Sequence, residues 1–189
     1  MDSTGIEDRG KTHRTACVVI PPEEVWGQIQ AIRRVHDPMV ARWMPHVTLL
    51  YPFVPESRFA EAVERLRPAA EAMAAFEVSL GGFGCFEHGR GSATVWLRPE
   101  PAEALCRLQA ALAGAMPWCD DVGRFAGGFT PHLSVGRFRG RGAAERAMGE
   151  LAAGWQAVGF WVREVSLIAR SGRPGEPFAP RATLRLRGV

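Results

Sequence analysis

Apolar positions along the chain recur with two periods, and the switches between them, marked by proline and glycine, delimit the elements. Residues 1–13 are polar, broken by Gly5 and Gly10, and follow neither period, so they read as a disordered lead-in that the fold can do without. Residues 15–20 are small and β-branched and end at Pro21-Pro22. That pattern predicts a buried strand feeding a helix whose first turn accepts proline and welcomes Glu23 and Glu24. Val25, Ile29 and Ile32 share one face of that helix, and Asp37-Pro38 stops it, because the residue before a proline is pushed out of the helical region. Pro45 introduces a strand-like run over residues 46–51. Ser57 is placed to cap a helix carrying Phe59, Val63 and Leu66, ended or kinked at Pro68. Residues 76–86 and 92–97, rich in β-branched and aromatic side chains on either side of a turn-forming 87–91, predict a hairpin. Residues 101–116 return to helical spacing through Leu105, Leu108 and Leu112.

The second half repeats the first in order. Pro131 introduces His132-Leu133-Ser134-Val135, a Gly/Arg turn follows, a helix is predicted over 143–153, and 160–169 with 182–186 reads as another hairpin. Each unit is strand, helix, strand, strand, opened by Pro-His-x-Thr/Ser. Such a repeat predicts an α+β fold, bilobal and pseudo-twofold, in which two equivalent antiparallel sheets flanked by helices face each other across an active-site cleft.

The repeat also changes how the histidines are read. In a strand, successive side chains alternate faces, so His46 and Thr48 point one way while Val47 and Leu49 point to the apolar side, and His132 and Ser134 share the same parity. A lone strand histidine is ordinarily a packing or surface residue, but two in matched settings outweigh that reading. Imidazole titrates near neutrality, so a facing pair can act as general base and general acid at once, and the hydroxyls add donors for a phosphate oxygen. Displacement at phosphorus needs a deprotonated nucleophile, a protonated leaving oxygen and held non-bridging oxygens. Two His-x-Thr/Ser strands supply all three without a metal or cofactor. His13, His36 and His88, in the lead-in, at a helix end and in a turn, show no such setting.

The segments MPHVTLLYPF and TPHLSVGRF resemble the two signature motifs of the 2H phosphoesterase superfamily, in particular its branch of 2′-5′ RNA ligase-like proteins and cyclic nucleotide phosphodiesterases. IRRVHDPMVARW and FWVREVSLIAR resemble the same branch, so the likeness spans nearly all of residues 14–189 and implies one bilobal domain over them. It implies hydrolysis of 2′,3′-cyclic phosphate or 2′-5′-linked ends of RNA or small nucleotides, with acid/base roles for His46 and His132 and phosphate binding by Thr48 and Ser134. Arg137 matches an arginine that some relatives use on the phosphate. Strand parity turns it away from His132 unless Gly136 bends the strand. A nucleotide-binding module with little turnover, and a 2′-5′ RNA ligase running the same chemistry in reverse, fit the same residues. Tyr51, Phe53 and Phe129 are candidates for stacking on a base, against the commoner role of strand-end aromatics as core.

Composition narrows the partners. With 47% hydrophobic and 23% charged residues the chain is an ordinary globular one. No stretch reaches the roughly 18 apolar residues of a membrane span, and the N-terminus has no apolar signal core, which predicts a cytoplasmic protein with no membrane partner. Cys17, Cys85, Cys106 and Cys119 lack the spacing of a zinc site or a disulfide framework and are expected to be reduced. Residues 124–189 carry 11 Lys+Arg against 4 Asp+Glu. That surplus fits a surface for phosphates and equally an arginine-rich codon usage. The expected partner is an RNA end or small nucleotide, bound by a monomer.

Overall fold

The structure, a computed structural model, describes residues 10–89, 91–124 and 127–188. Its strands are β1 (Thr15–Val19), β2 (Val47–Leu50), β3 (Phe76–His88), β4 (Ser92–Glu100), β5 (Leu133–Arg139), β6 (Val158–Val162), β7 (Glu164–Ala169) and β8 (Ala179–Arg185). Its helices are α1 (Trp26–His36), α2 (Phe59–Ala72), α3 (Ala102–Ala115) and α4 (Arg141–Gly154). The strands form two antiparallel sheets, ordered β2-β1-β7-β8 and β5-β4-β3-β6. The fold is α+β with paired four-stranded sheets, as the repeat predicts. No described helix is long and apolar enough to cross a membrane.

Burial explains the sequence pattern. All five residues of β1 are buried, which is why they read as a continuous apolar run and not as an alternation. Cys17 and Val19 join the main core, while Ala16 and Val18 join a smaller cluster with Ile168 and Phe178 on the sheet's other face. The main core draws on both sheets and on α2 and α3, where Leu105, Leu108 and Leu112 lie fully buried at helical spacing. Each such leucine contributes roughly 1.5–3 kcal/mol by leaving water. Among the described residues the four cysteines are free thiols, Cys17 and Cys119 buried.

The repeat is present, but its frame is shifted. Each histidine-bearing strand is an edge strand whose sheet neighbour precedes it, so the equivalent units are β1-α1-β2-α2 and β4-α3-β5-α4. Residues 160–169 are not one strand. Phe160 and Val162 belong to β6 in the second sheet, whereas 164–169 form β7 in the first, hairpinned to β8. The break falls at the consecutive exposed pair Arg163 and Glu164, since two adjacent outward residues cannot belong to one regular pleat. Pro68 neither ends nor replaces α2, which runs on to Ala72, and Ser57 lies in a 3-10 turn over Glu56–Arg58 with no side-chain cap. Of the lead-in, residues 1–9 lie outside the described residues. Beyond them Thr12 bridges to Phe53, and Lys11 pairs with Asp121.

At the cleft the two halves meet where α1 and β2 of the first reach β5 of the second. Helix α1, from the first half, packs on β5, from the second, with the end of the helix pressed on Gly136. A Cβ there would stand 2.8 Å from His36 Cβ and 2.8 Å from the Phe138 ring. Gly136→Ala is therefore expected to cost about 1–3 kcal/mol of stability, read as a lower urea midpoint. An unchanged midpoint would show that α1 does not press on β5.

Candidate active site

His46 and His132 each stand one residue ahead of a strand, before β2 and β5, and not within the strand itself. The reason is local. Each ring turns back on its own chain, with Nδ1 2.7 Å from the Met44 carbonyl oxygen for His46 and 2.8 Å from that of Thr130 for His132. A carbonyl only accepts, so Nδ1–H donates in both, and Nε2 is the nitrogen left free to take or give a proton. The edge strands β2 and β5 touch, and the imidazoles are near enough that charge on His132 opposes charge on His46.

A matched irregularity follows each motif. Thr48 pairs with Val18 and Leu50 with Cys17, so Leu49 is the extra residue of a bulge; Ser134 pairs with Trp96 and Gly136 with Val95, so Val135 is its counterpart. Strand parity turns Arg137 away from the cleft in a regular strand, but the bulge adds one residue and reverses that parity. Arg137 pairs with Thr94, which shares a face of β4 with Trp96 and hence with Ser134. Arg137, Thr94 and Ser134 therefore lie on one face. In the first sheet the position equivalent to Arg137 is held by Tyr51.

Each imidazole rests on an aromatic pair. His46 stacks on Trp43, with centroids 4.8 Å apart at 17°, and Trp43 stacks on Phe178 at 3.7 Å. His132 meets the ring of Phe86 edge-on at 4.9 Å and 87°, and that of Trp96 at 6.0 Å. The Trp96 indole lies over Gly84, where a Cβ would come within 2.5 Å of it. These rings hold the imidazoles in place and keep water off one side of each.

The halves differ in charge. Arg33, only 2% exposed, reaches from α1 to the Asp37 carboxylate at 2.9 Å and the Trp43 carbonyl at 2.8 Å. It thereby braces the loop that delivers Trp43 and His46. Burial above all pushes the His46 pKa down to about 4, with Arg33 and His132 adding to the shift against the Met44 hydrogen bond and Asp37. His132 is also lowered, by burial first and by His88 in addition, against the Thr130 bond. Burial thus favours the neutral form of both rings.

A cleft of about 220 Å³ joins these groups. The first half lines it with Arg33, Asp37, Trp43 and His46, the second with Thr94, Ser134, Gly136 and Arg137. Thr48 and His132 are not on its lining. Tyr51 is half-buried against Trp43. Phe53 is fully buried on Phe59, so it has no ring face for a base and serves the core instead. Phe129 likewise packs against the main core. Trp43, Phe86, Trp96, Arg33 and Thr94 are site residues that sequence reasoning passes over; Arg33 and Trp43 lie inside IRRVHDPMVARW, a segment that carries part of the family likeness. Among the described residues no three His, Cys, Asp or Glu side chains gather as metal ligands would.

A family model described as the 2′-5′ RNA ligase superfamily matches residues 21–174. The chain belongs to this superfamily. It is 29% identical over 125 residues to a Geobacillus kaustophilus protein named "Putative phosphoesterase GK0864", covering 64% of this chain and 66% of that one, so the chain spans just under two thirds of that relative's length. Among solved structures, TT0787 of Thermus thermophilus shares 21% identity with a TM-score of 0.65, covering 93% of this chain and 98% of that one. Escherichia coli LigT complexed with 3′-AMP shares 21% identity at 0.62, covering 92% and 98%, and with NADP+ 22% at 0.60, covering 94% and 99%. These likenesses establish that the superfamily fold covers the chain, with both histidine motifs inside the matched span.

For this superfamily member the lowered histidines make a stability signature. An unfolded histidine titrates near about 6.5. The folded chain therefore binds fewer protons than the unfolded one between that pH and about 4. For His46 stability is complete above the unfolded value and falls as pH drops through this window, by up to about 1.4 kcal/mol per pH unit, and the lowered His132 adds in the same direction. His46→Gln is expected to flatten the pH 4–6.5 slope measured by urea unfolding, and identical slopes in the two proteins would refute the shift.

Proposed function

We propose that this chain is a metal-independent phosphodiesterase acting on 2′,3′-cyclic phosphate or 2′-5′-linked ends of RNA or small nucleotides. One observation carries the reading: two histidines, each with Nδ1 held by its own chain, present free Nε2 atoms from edge strands that touch. Membership of the 2′-5′ RNA ligase superfamily supports the same class of chemistry. So does the phosphoesterase name of the Geobacillus relative, and LigT has been crystallised with 3′-AMP.

In the hydrolytic direction His46 Nε2 takes a proton from water as its oxygen bonds to phosphorus. His132, protonated, gives its proton to the ribose oxygen as the P–O bond breaks. The assignment follows from the asymmetry of the halves, since buried Arg33 stands beside His46 and favours its neutral form. Ser134, Arg137 and Thr48 hold the non-bridging oxygens, and Arg137 stabilises the charge that builds on them. Ligation is the same path reversed and asks for no other residues.

His46→Ala and His132→Ala are each expected to lower kcat on a 2′,3′-cyclic nucleotide by about 10²–10⁴-fold, with wild-type activity intact in EDTA. On a nitrophenyl phosphodiester, whose leaving group needs no proton, His46→Ala loses activity and His132→Ala keeps most of it. Activity that vanishes in chelator, or survives both substitutions on the cyclic substrate, defeats the proposal. The pH profile of kcat/KM is expected to be bell-shaped with its maximum below about 6.5, because both free-enzyme pKa values lie under that of an ordinary histidine and the limbs belong to the coupled pair. A flat profile from pH 4 to 8 would rule out the acid/base pair.

A further inference from the structure

Beyond the cleft lining, the same face of the second sheet carries further polar side chains. Its registers align three rows: Gly84, Trp96 and Ser134; then Phe86, Thr94 and Arg137; then His88, Ser92 and Arg139. Alternation places Ser92, Thr94 and Trp96 on one face of β4, and past the bulge Arg137 and Arg139 share that face. His88 Nε2 lies 2.9 Å from Thr94 Oγ1, which puts the third row on the same side as the second.

The charges in these rows are open. Among the described residues neither Arg137 nor Arg139 has a carboxylate at ion-pair distance, whereas Arg141, just beyond, is held by Glu87 at 2.8 Å and Glu145 at 2.6 Å. Two guanidinium groups on one strand face repel each other unless anions sit against them. The facing wall is built differently: Ala16, Val18 and Ile168 pack under Trp43 and Phe178, with Thr48 and Ser166 in register with Val18 and Arg170 lying over the Phe178 ring. Neighbouring rows are two residues apart along a strand, about 6.8 Å, which is comparable to the spacing of successive phosphates in a nucleotide chain.

We propose that Arg139, with Ser92 and His88 beside it, forms a second phosphate subsite one row beyond Arg137, and that the preferred substrates are nucleotides carrying a second phosphate. This rests on reading the cleft as a phosphodiester site. The second phosphate is either terminal on the same nucleoside or the bridge to the next one.

Calorimetry with adenosine 3′-monophosphate, adenosine 3′,5′-bisphosphate and a diadenosine dinucleotide bearing a 3′-phosphate tests it on the wild-type chain and Arg139→Gln. At least one two-phosphate ligand is expected to bind wild type about tenfold tighter than the monophosphate, the worth of one charge-assisted contact. Arg139→Gln should erase that advantage while leaving the monophosphate Kd within about twofold. Preference for the bisphosphate identifies a terminal phosphate, and preference for the dinucleotide a bridging one. Equal affinity for all three ligands, no binding of any, or an equal loss for all three in Arg139→Gln overturns the subsite. Binding is read without turnover, so a failure of hydrolysis would count against the phosphodiesterase reading and leave this result standing.

Discussion

The close approach of α1 to β5 at Gly136, above a core shared by both sheets, constrains how the two halves face each other. Each histidine is hydrogen-bonded to a carbonyl two residues back and braced by rings on its own side of the cleft. The separation of the two rings is therefore set by whatever docks one half on the other. At the cleft that docking sets His36, at the end of α1, directly on the Gly136 backbone, where any side chain would collide with it. Interiors packed at this density shift little, so the contact translates into a fixed cleft. The same helix carries Arg33, and the turn after it supplies Asp37, Pro38 and Met39 to the cleft wall.

The pseudo-symmetry of the halves extends to detail and then stops. Both motifs show the Nδ1–carbonyl bond, the bulge one residue past the hydroxyl and an aromatic pair under the ring. Yet the first wall packs Trp43 and Phe178 over small apolar residues, while the second carries exposed arginines on its strand face. Buried Arg33 has its place in the first half, and Tyr51 stands where the second half has Arg137. The two imidazoles occupy equivalent positions in different surroundings, and the proposed division of roles into acid and base draws on that difference.

Much of this is legible in the sequence, and what is not has a common cause. The motif pair, the helices and the two-sheet fold read directly because they depend on local periodicity and on a repeat. Arg137 does not, because a parity argument assumes a regular strand and the bulge at Val135 is visible only in the pairing with β4. Phe53 looks available because strand-end position does not reveal burial, and it is fully enclosed. Trp96 and Phe86 escape notice for a related reason, since they reach His132 through cross-strand register and lie far from it in the chain. The run over 160–169 joins two strands of different sheets, although the adjacent Arg163 and Glu164 already break its alternation.

The second sheet is drawn from one uninterrupted stretch, residues 76–162, whereas the first sews together residues 15–50 and 164–185. On the ribosome this imposes an order. The arginine-lined wall has all its strands before β7 and β8 emerge, while β1 and its histidine-bearing neighbour wait for Thr15 to meet Ala169. Closing so long a loop adds only slowly to the entropy cost, so the delay is one of timing more than of energy. Until the closure, β1 has an unpaired edge and two apolar faces, the features that invite pairing with the wrong strand. The segment that carries the first half of the site is thus the part of the nascent chain most in need of shelter.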